Sequence, residues 1–161
     1  MEKPKLLLSA CCAPCATVAL EQLSGEYDVT LYFWGNNIYP KEEYQKRLES
    51  ILILSPNAII VPYHQIQPET CEQCFKMRLR DTAEYAKHNG FEYFATTLTT
   101  SPHKPAELIN QIGANIAEDS GVKYLPTNFK KNNGFARSVT LSKQLGLYRQ
   151  NYCGCQRSEI K

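Results

Sequence analysis

The chain has 161 residues, of which 43% are hydrophobic and 21% charged, and its formal net charge at pH 7 is +2. This length allows one sizeable hydrophobic core and is too short for two ordinary domains. No stretch approaches the roughly 20 apolar residues that a transmembrane helix needs, and the early apolar run ends without the cleavage site of a signal peptide. We therefore expect a cytoplasmic protein without a membrane partner.

Strand-like apolar runs alternate with helical patterns along the whole chain. The predicted elements are strand 5–10, helix 14–23, strand 27–34, helix 40–54, strand 58–63, helix 70–87, strand 91–98, helix 105–118, short strand 123–125 and helix 134–145. Alternation at this spacing is typical of a parallel sheet with helices on both faces. We therefore expect residues 1–161 to form a single-domain open parallel sheet of the α/β class.

The charge is unevenly distributed. Residues 121–161 carry eight Lys or Arg side chains and one acidic residue, so the first 120 residues hold ten basic and fifteen acidic side chains. A basic end on an acidic body indicates a polyanionic partner, most commonly nucleic acid. On charge alone, a solvated helix face is the favoured alternative.

The cysteines are the most informative residues of the sequence, because all seven fall into three tight groups. The groups are Cys11, Cys12 and Cys15, then Cys71 and Cys74, then Cys153 and Cys155. Isolated buried cysteines would be scattered along the chain. A disulfide framework is disfavoured by the odd count and by the expected cytoplasmic location. The grouping therefore predicts one reactive or metal-binding site.

The predicted elements place these groups near one another. The first group follows the first strand at its carboxyl end, where open α/β sheets bind ligands. Cys71 and Cys74 lie in the first turns of a helix, where the dipole and free N–H groups favour thiolate over thiol. We expect the C-terminal tail, residues 147–161, to fold back over this edge and bring Cys153 and Cys155 to the same site.

The spacing leaves the metal open. Four thiolates can hold a structural zinc ion or a [4Fe–4S] cluster. A cluster would leave three cysteines for a second open site, which a redox enzyme could use for its substrate. Soft thiolate ligands fit iron–sulfur at least as well as zinc. From the spacing, iron–sulfur is therefore the first choice, zinc the second and thiol–disulfide chemistry the third.

Five motifs, in order across nearly the whole chain, resemble the QueH family of epoxyqueuosine reductases. They are Cys11-Cys12-Ala13-Pro14-Cys15; Asn37-Ile38-Tyr39-Pro40 with Glu43, Tyr44 and Arg47; Cys71 and Cys74 with Arg78 and Thr82; Thr96-Thr97-Leu98 through Ser101-Pro102-His103-Lys104; and Tyr148 through Cys155. The resemblance implies a sheet of the HUP type and reduction of the epoxide of epoxyqueuosine at the wobble position of tRNA.

The resemblance also implies a [4Fe–4S] cluster, a separately bound iron ion and an external electron donor. The resemblance further implies that the position of Cys15 can be aspartate in relatives, and a ligand that exchanges with carboxylate suits a single iron better than a cluster corner. We therefore place Cys15 at the second iron and leave Cys11, Cys12, Cys71, Cys74, Cys153 and Cys155 unassigned between the two centres. His103 is the first candidate proton donor and Tyr152 the second, although His103 could instead only form local hydrogen bonds at a helix start.

Contacts with tRNA are expected from basic and aromatic side chains. The candidates are Lys130, Lys131, Arg137, Arg149 and Arg157 for phosphates, and Tyr39, Tyr44 and Tyr148 for stacking. For Tyr44, a place in the hydrophobic core is the preferred interpretation.

Two alternatives remain besides thiol–disulfide exchange. A tRNA sulfur transferase on the same fold needs a phosphate loop with glycine and aspartate after the first strand, and residues 9–14 contain neither. A zinc-stabilised RNA-binding module would hold zinc and catalyse nothing.

Overall fold

The computed structural model describes residues 2–150, 152 and 154, and their strands form one parallel sheet. The strands are β1 (Lys5–Ala10), β2 (Asp28–Phe33), β3 (Ile59–Ile60), β4 (Tyr93–Thr96) and β5 (Lys123–Tyr124), in the order β3-β2-β1-β4-β5. The helices are α1 (Ala13–Leu23), α2 (Lys41–Leu54), α3 (Cys71–His88), α4 (Ala106–Ser120) and α5 (Gly134–Leu145), with 3₁₀ turns at Leu98–Thr100 and Lys131–Asn133.

Helices cover both faces of the sheet, as the alternation of patterns predicts. On the central strand β1, Leu6 and Leu8 belong to the core beneath α1 and α2, whereas Leu7 belongs to the core beneath α3 and α4. All three leucines are fully buried. A strand covered on both faces reads as a continuous apolar run, which is why β1 has no polar alternation. The predicted open parallel sheet is confirmed.

Strands β2 to β5 are shorter than predicted, whereas β1 has the predicted bounds, and the end of β4 shows the reason. The apolar pattern continues to Leu98, but the chain leaves the sheet after Thr96, whose Oγ1 accepts a hydrogen bond from the Leu98 N–H at 3.1 Å. The edge strand β3 keeps only two residues because it pairs with β2 alone. Strand length therefore follows the neighbours available for pairing.

The strand order creates a crevice at the carboxyl end of β1, because later strands are added on one side of β1 up to β3 and on its other side from β4 onward. β1 pairs with β2 on one side and with β4 on the other, and both pairings are parallel. In open α/β sheets, ligands bind outside the carboxyl ends of strands at such a switch point. The segments after Ala10 and Thr96 therefore border the expected site. Within the described residues, no helix combines the length and apolar character needed to cross a membrane.

Candidate functional site

A cavity of about 280 Å³ lies at the carboxyl ends of β1 and β4. Cys11, Cys12 and Cys15 line it from the segment after β1, and Thr97 and His103 line it from the loop after β4. The start of α5 and the C-terminal tail complete the wall. The switch point of the sheet thus coincides with the first cysteine group.

The three thiols of this group lie at the start of α1. Cys12 is the residue before the helix, in an extended conformation, and Pro14 occupies the first turn, where its missing N–H leaves no hydrogen bond unmade. Cys11 and Cys12 are buried, and Cys15 is partly exposed. All three are free cysteines.

These thiols interact with one another. A hydrogen bond with Cys12, followed by burial, holds the pKa of Cys11 well above its usual value, although the positive charge of Arg78 lowers it. The hydrogen bond with Cys11 lowers the pKa of Cys12, but the hydrogen bond with Cys15 and burial outweigh it and raise this pKa to about 11. Thiols in this state carry protons that a bound metal cation would displace.

The second cysteine group divides between two environments. Cys71 is exposed at the start of α3, whereas Cys74, one turn later, is buried. Asn37 Nδ2 and Arg78 Nε both lie 3.4 Å from the Cys74 sulfur and donate to it. Because Arg78 also lowers the pKa of Cys11, its positive charge acts on both cysteine groups. The helix position of Cys71 and Cys74 was predicted; their different burial was not.

Arg78 is held rigidly in the core. Its guanidinium donates to the Trp34 carbonyl oxygen at 2.7 Å and to Asn37 Oδ1, and it stacks 4.8 Å from the centre of the Trp34 ring. A buried cation with directed hydrogen bonds in a low-dielectric site acts strongly on nearby thiols. Arg78 therefore favours negative charge at this edge of the sheet.

A second buried arginine, Arg47, connects α2 to the C-terminal tail. Its side chain is 1% exposed, and its Nε donates to Glu43 Oε2 at 2.8 Å. A terminal nitrogen donates to the Tyr152 carbonyl oxygen, also at 2.8 Å. Burial alone would lower the pKa of Arg47, but its electrostatic interactions with Cys12 and Cys11 in their ionised form, and with Glu43, raise that pKa above its ordinary value.

The described part of the C-terminal tail contacts the cavity and the loop before α2. Gln150 Nε2 donates to the Cys12 sulfur at 3.0 Å, and the Tyr39 N–H donates to the Gly154 carbonyl oxygen at 2.7 Å. Gln150 and Tyr152 line the cavity. Cys153 and Cys155 lie outside the described residues, so their predicted role stays a prediction.

The two candidate proton donors both line the cavity but differ in their contacts. His103 is exposed in the turn before α4, and its backbone N–H donates to Ser101 Oγ at 3.3 Å. The hydroxyl group of Tyr152 donates to the Tyr39 carbonyl oxygen at 2.5 Å. His103 is therefore the candidate whose side chain is open to solvent at the cavity.

The residues proposed for tRNA contact have mixed surroundings. Arg137 forms an exposed ion pair with Glu21 at 2.8 Å, and Arg157 lies outside the described residues. Tyr44 is buried in the core, as preferred from the sequence. Tyr148 donates to Glu43 at 2.5 Å, and burial, with Glu43 adding to it, raises the pKa of Tyr148 to about 12. Tyr44 is therefore a core residue, whereas base stacking by Tyr148, which is only partly buried, stays a prediction.

Seven residues that line the cavity were not predicted as site residues, among them Thr97, Gln150 and Phe135. Thr97 was noted only as part of a motif, Gln150 only as part of the tail, and Phe135 not at all. The side chain of Phe135 is 44% exposed at the first turn of α5. A phenylalanine in a basic, polar segment was the available signal for Phe135.

The donor atoms at the cavity fit a soft metal centre. Thiols line it, and among the described lining residues there is no Asp or Glu. Sulfur ligands of this kind suit zinc or iron–sulfur centres rather than magnesium or calcium. Across residues 2–150, 152 and 154, however, no three His, Cys, Asp or Glu side chains are grouped so that they could hold one metal ion. The described thiols are therefore candidate ligands and not a complete site.

Comparison with known proteins identifies the family. Residues 6–161 match the family model described as epoxyqueuosine reductase QueH. A protein of that name from Streptococcus pyogenes is 38% identical over 95% of this chain and 69% of its own length. The corresponding proteins of Staphylococcus epidermidis and Thermotoga maritima are 36% and 34% identical, over 99% and 93% of this chain and 78% and 88% of their own lengths. This chain therefore belongs to the epoxyqueuosine reductase QueH family of oxidoreductases.

Proposed function

We propose that this protein reduces the epoxide of epoxyqueuosine in tRNA to the alkene of queuosine, with a [4Fe–4S] cluster and a further iron ion held by its cysteines. The observation that carries the proposal is the meeting of Cys11, Cys12 and Cys15 at the switch-point cavity. In nucleotide-binding relatives of this topology, a phosphate loop occupies that position. The epoxide substrate is inferred from membership of the QueH family.

The reaction needs two electrons and two protons. Both C–O bonds of the three-membered ring break, a C=C bond forms between the two ring carbons, and the oxygen leaves as water. The electrons come from an external one-electron donor, either a small redox protein or a reduced flavin. A cluster passes electrons singly, and an iron ion beside it can act as a Lewis acid for the oxygen.

The residues of the chain would divide the remaining tasks. Arg47 and Arg78 would offset the negative charge of thiolate ligands, since both already act electrostatically on the first cysteine group. His103, exposed at the cavity, would donate a proton from its imidazole ring. Cys15, the partly exposed thiol, is assigned to the second iron, where a substrate must be able to approach.

Phe135 and Lys104 would contact the RNA. Both line the cavity, and Phe135 is exposed on α5. An exposed aromatic ring can stack on an unpaired base, and a nearby lysine can pair with phosphate. These two contacts would hold the anticodon at the mouth of the cavity while the epoxide-bearing ring of the modified base enters.

The first test is anaerobic purification and reconstitution with iron and sulfide, followed by single-turnover assays on tRNA that carries epoxyqueuosine. We expect a brown protein and a product lighter by one oxygen atom. A colourless protein containing only zinc, or a reaction that requires ATP, would refute the proposal.

Variants of Cys15 test the assignment of the second iron. Cys15→Ala should bind less iron per chain while the visible absorbance of the cluster persists, and Cys15→Asp should restore both iron and turnover. Loss of the cluster absorbance in both variants would instead make Cys15 a cluster ligand.

A further inference from the structure

The last residue of β4 and the segment after it contain four threonines, and the hydroxyl group of one of them differs from the other three in having no hydrogen-bond partner among the described residues. Thr96, Thr97, Thr99 and Thr100 are all fully buried or nearly so. Three of their hydroxyl groups have partners: Thr96 with the Leu98 N–H (3.1 Å), Thr99 with the Thr127 hydroxyl (2.8 Å) and Thr100 with the Cys15 carbonyl (3.0 Å). Thr97 is 1% exposed, and its Oγ1 has no hydrogen-bond partner among the described residues.

A buried hydroxyl without a partner costs stability, so its presence needs an explanation. The main chain of Thr97 is fixed, because its N–H donates to the Ser9 carbonyl oxygen at 3.0 Å beside the β1–β4 pairing. Thr97 is also the one of the four threonines that lines the cavity. The unmade hydrogen bond therefore lies at the proposed site and not elsewhere in the core.

A second unpartnered atom lines the same cavity. Gln150 donates through Nε2 to the Cys12 sulfur at 3.0 Å, but its Oε1 is buried and has no partner within the described chain. Thr97 approaches from the loop after β4 and Gln150 from the C-terminal tail. Two such atoms at one cavity indicate a ligand that forms hydrogen bonds with both.

The size of the cavity limits which part of the ligand enters. Its volume of about 280 Å³ lies just below the roughly 300–1,000 Å³ of sites that enclose drug-sized molecules. It can therefore admit a small oxygen-bearing ring. An epoxide oxygen carries no hydrogen and can only accept a hydrogen bond, so its partner must be a donor such as a hydroxyl group.

We propose that Thr97 binds the substrate by donating a hydrogen bond from Oγ1 to the epoxide oxygen. Gln150 Oε1 accepts from an O–H or N–H group of the same ligand. The inference rests on the proposed function and adds to it the residues that orient the ring against the thiols. Such a bond draws electron density from the C–O bonds that must break.

The test compares Thr97→Val, which removes the hydroxyl, with Thr97→Ser, which keeps it. Thr97→Val should leave the melting temperature of the metal-free protein unchanged or raise it, and should leave iron per chain and visible absorbance unchanged. Its kcat/KM for the epoxide in tRNA should fall roughly tenfold or more, the effect of losing one hydrogen bond. Thr97→Ser should recover most of that loss.

Thr99→Val is the matched control, because its hydroxyl is bonded to Thr127. It should lower the melting temperature, opposite to Thr97→Val. A lowered melting temperature in Thr97→Val would show that its hydroxyl serves the fold, and altered iron content or absorbance would show that it serves the metal centre. Either result overturns the inference.

An assay of the wild-type protein distinguishes failure of this inference from failure of the proposed function on which it rests. If the iron-loaded wild type reduces the epoxide and Thr97→Val does so equally well, the role of Thr97 is refuted and the proposed function stands. If the loaded wild type leaves the epoxide intact, both are refuted.

Discussion

Two ion pairs on different helices have the same sequence spacing and differ in burial. Glu43 and Arg47 of α2 lie 2.8 Å apart with side chains 6% and 1% exposed. Glu72 and Lys76 of α3 lie 3.0 Å apart, and both side chains are 52% exposed. Because each pair joins residues four positions apart on a helix, their comparison isolates the effect of removing charges from water.

The perturbation is Arg47→Met, which keeps the apolar stem and removes the guanidinium. It leaves the Glu43 carboxylate buried and removes the donor to the Tyr152 carbonyl oxygen. Breaking one side of a buried pair costs about 3–5 kcal/mol. Natural domains have a free energy of unfolding of about 5–15 kcal/mol, so this is a large share of the total. The melting temperature should fall by roughly 6–20 °C.

The assay is equilibrium unfolding in urea of the metal-free protein, with the midpoint and slope measured for each variant. Lys76→Met, the matched control, should change the free energy of unfolding by less than about 0.5 kcal/mol. Adding Glu43→Gln to Arg47→Met should recover part of the loss, because no buried charge is then left alone. A cost below about 1 kcal/mol for Arg47→Met, or simple addition of the two losses, would refute the reasoning.

Three further predictions concern the tail, the RNA and the metal. Gly154→Ala should destabilise the protein by about 1–3 kcal/mol in the same unfolding assay. Gly154 has a φ of +108°, and an added Cβ would lie 2.7 Å from Arg47 Nη1. An unchanged unfolding midpoint would contradict this prediction. Phe135→Ala should weaken tRNA binding by about 1–3 kcal/mol in filter binding at fixed salt, whereas Leu145→Ala, on the same helix and also exposed, should not. Cys74→Ser should lower iron per chain after reconstitution without changing the far-ultraviolet dichroism, and full iron loading would remove Cys74 from the ligands.

Sequence reasoning succeeded where one local pattern decides the structure. Strand β1 and helix α5 have the predicted bounds, because a buried apolar run and a glycine-terminated amphipathic stretch identify them without tertiary information. The predicted end of β4 was wrong, because a strand ends where its pairing with neighbouring strands ends, and the apolar pattern does not show that point. The parallel sheet also made it predictable that the first cysteine group would lie at a ligand-binding edge.

The contacts that complete the site could not be predicted, because they join distant parts of the chain. Arg47 and Tyr152 are 105 residues apart, and Gln150 is 138 residues from Cys12. The hydroxyl group of Thr97 differs from its three neighbours only in what surrounds it. No pattern in the sequence distinguishes a threonine that has a partner from one that has none.

The distribution of charge along the sequence also fails to show which charges act at the site. The count of charges along the sequence suggests that residues 121–161 provide the electrostatic interactions of the site. In the structure, however, Arg137 of that segment is exposed and forms an ion pair with Glu21. Two of the cations that act on the thiols, Arg47 and Arg78, belong to the acidic first 120 residues and are buried. Burial strengthens their field and protects it from salt. Added salt should therefore weaken tRNA binding while leaving iron content unchanged; iron lost in parallel with RNA would mean that exposed charges, and not these two arginines, stabilise the metal centre.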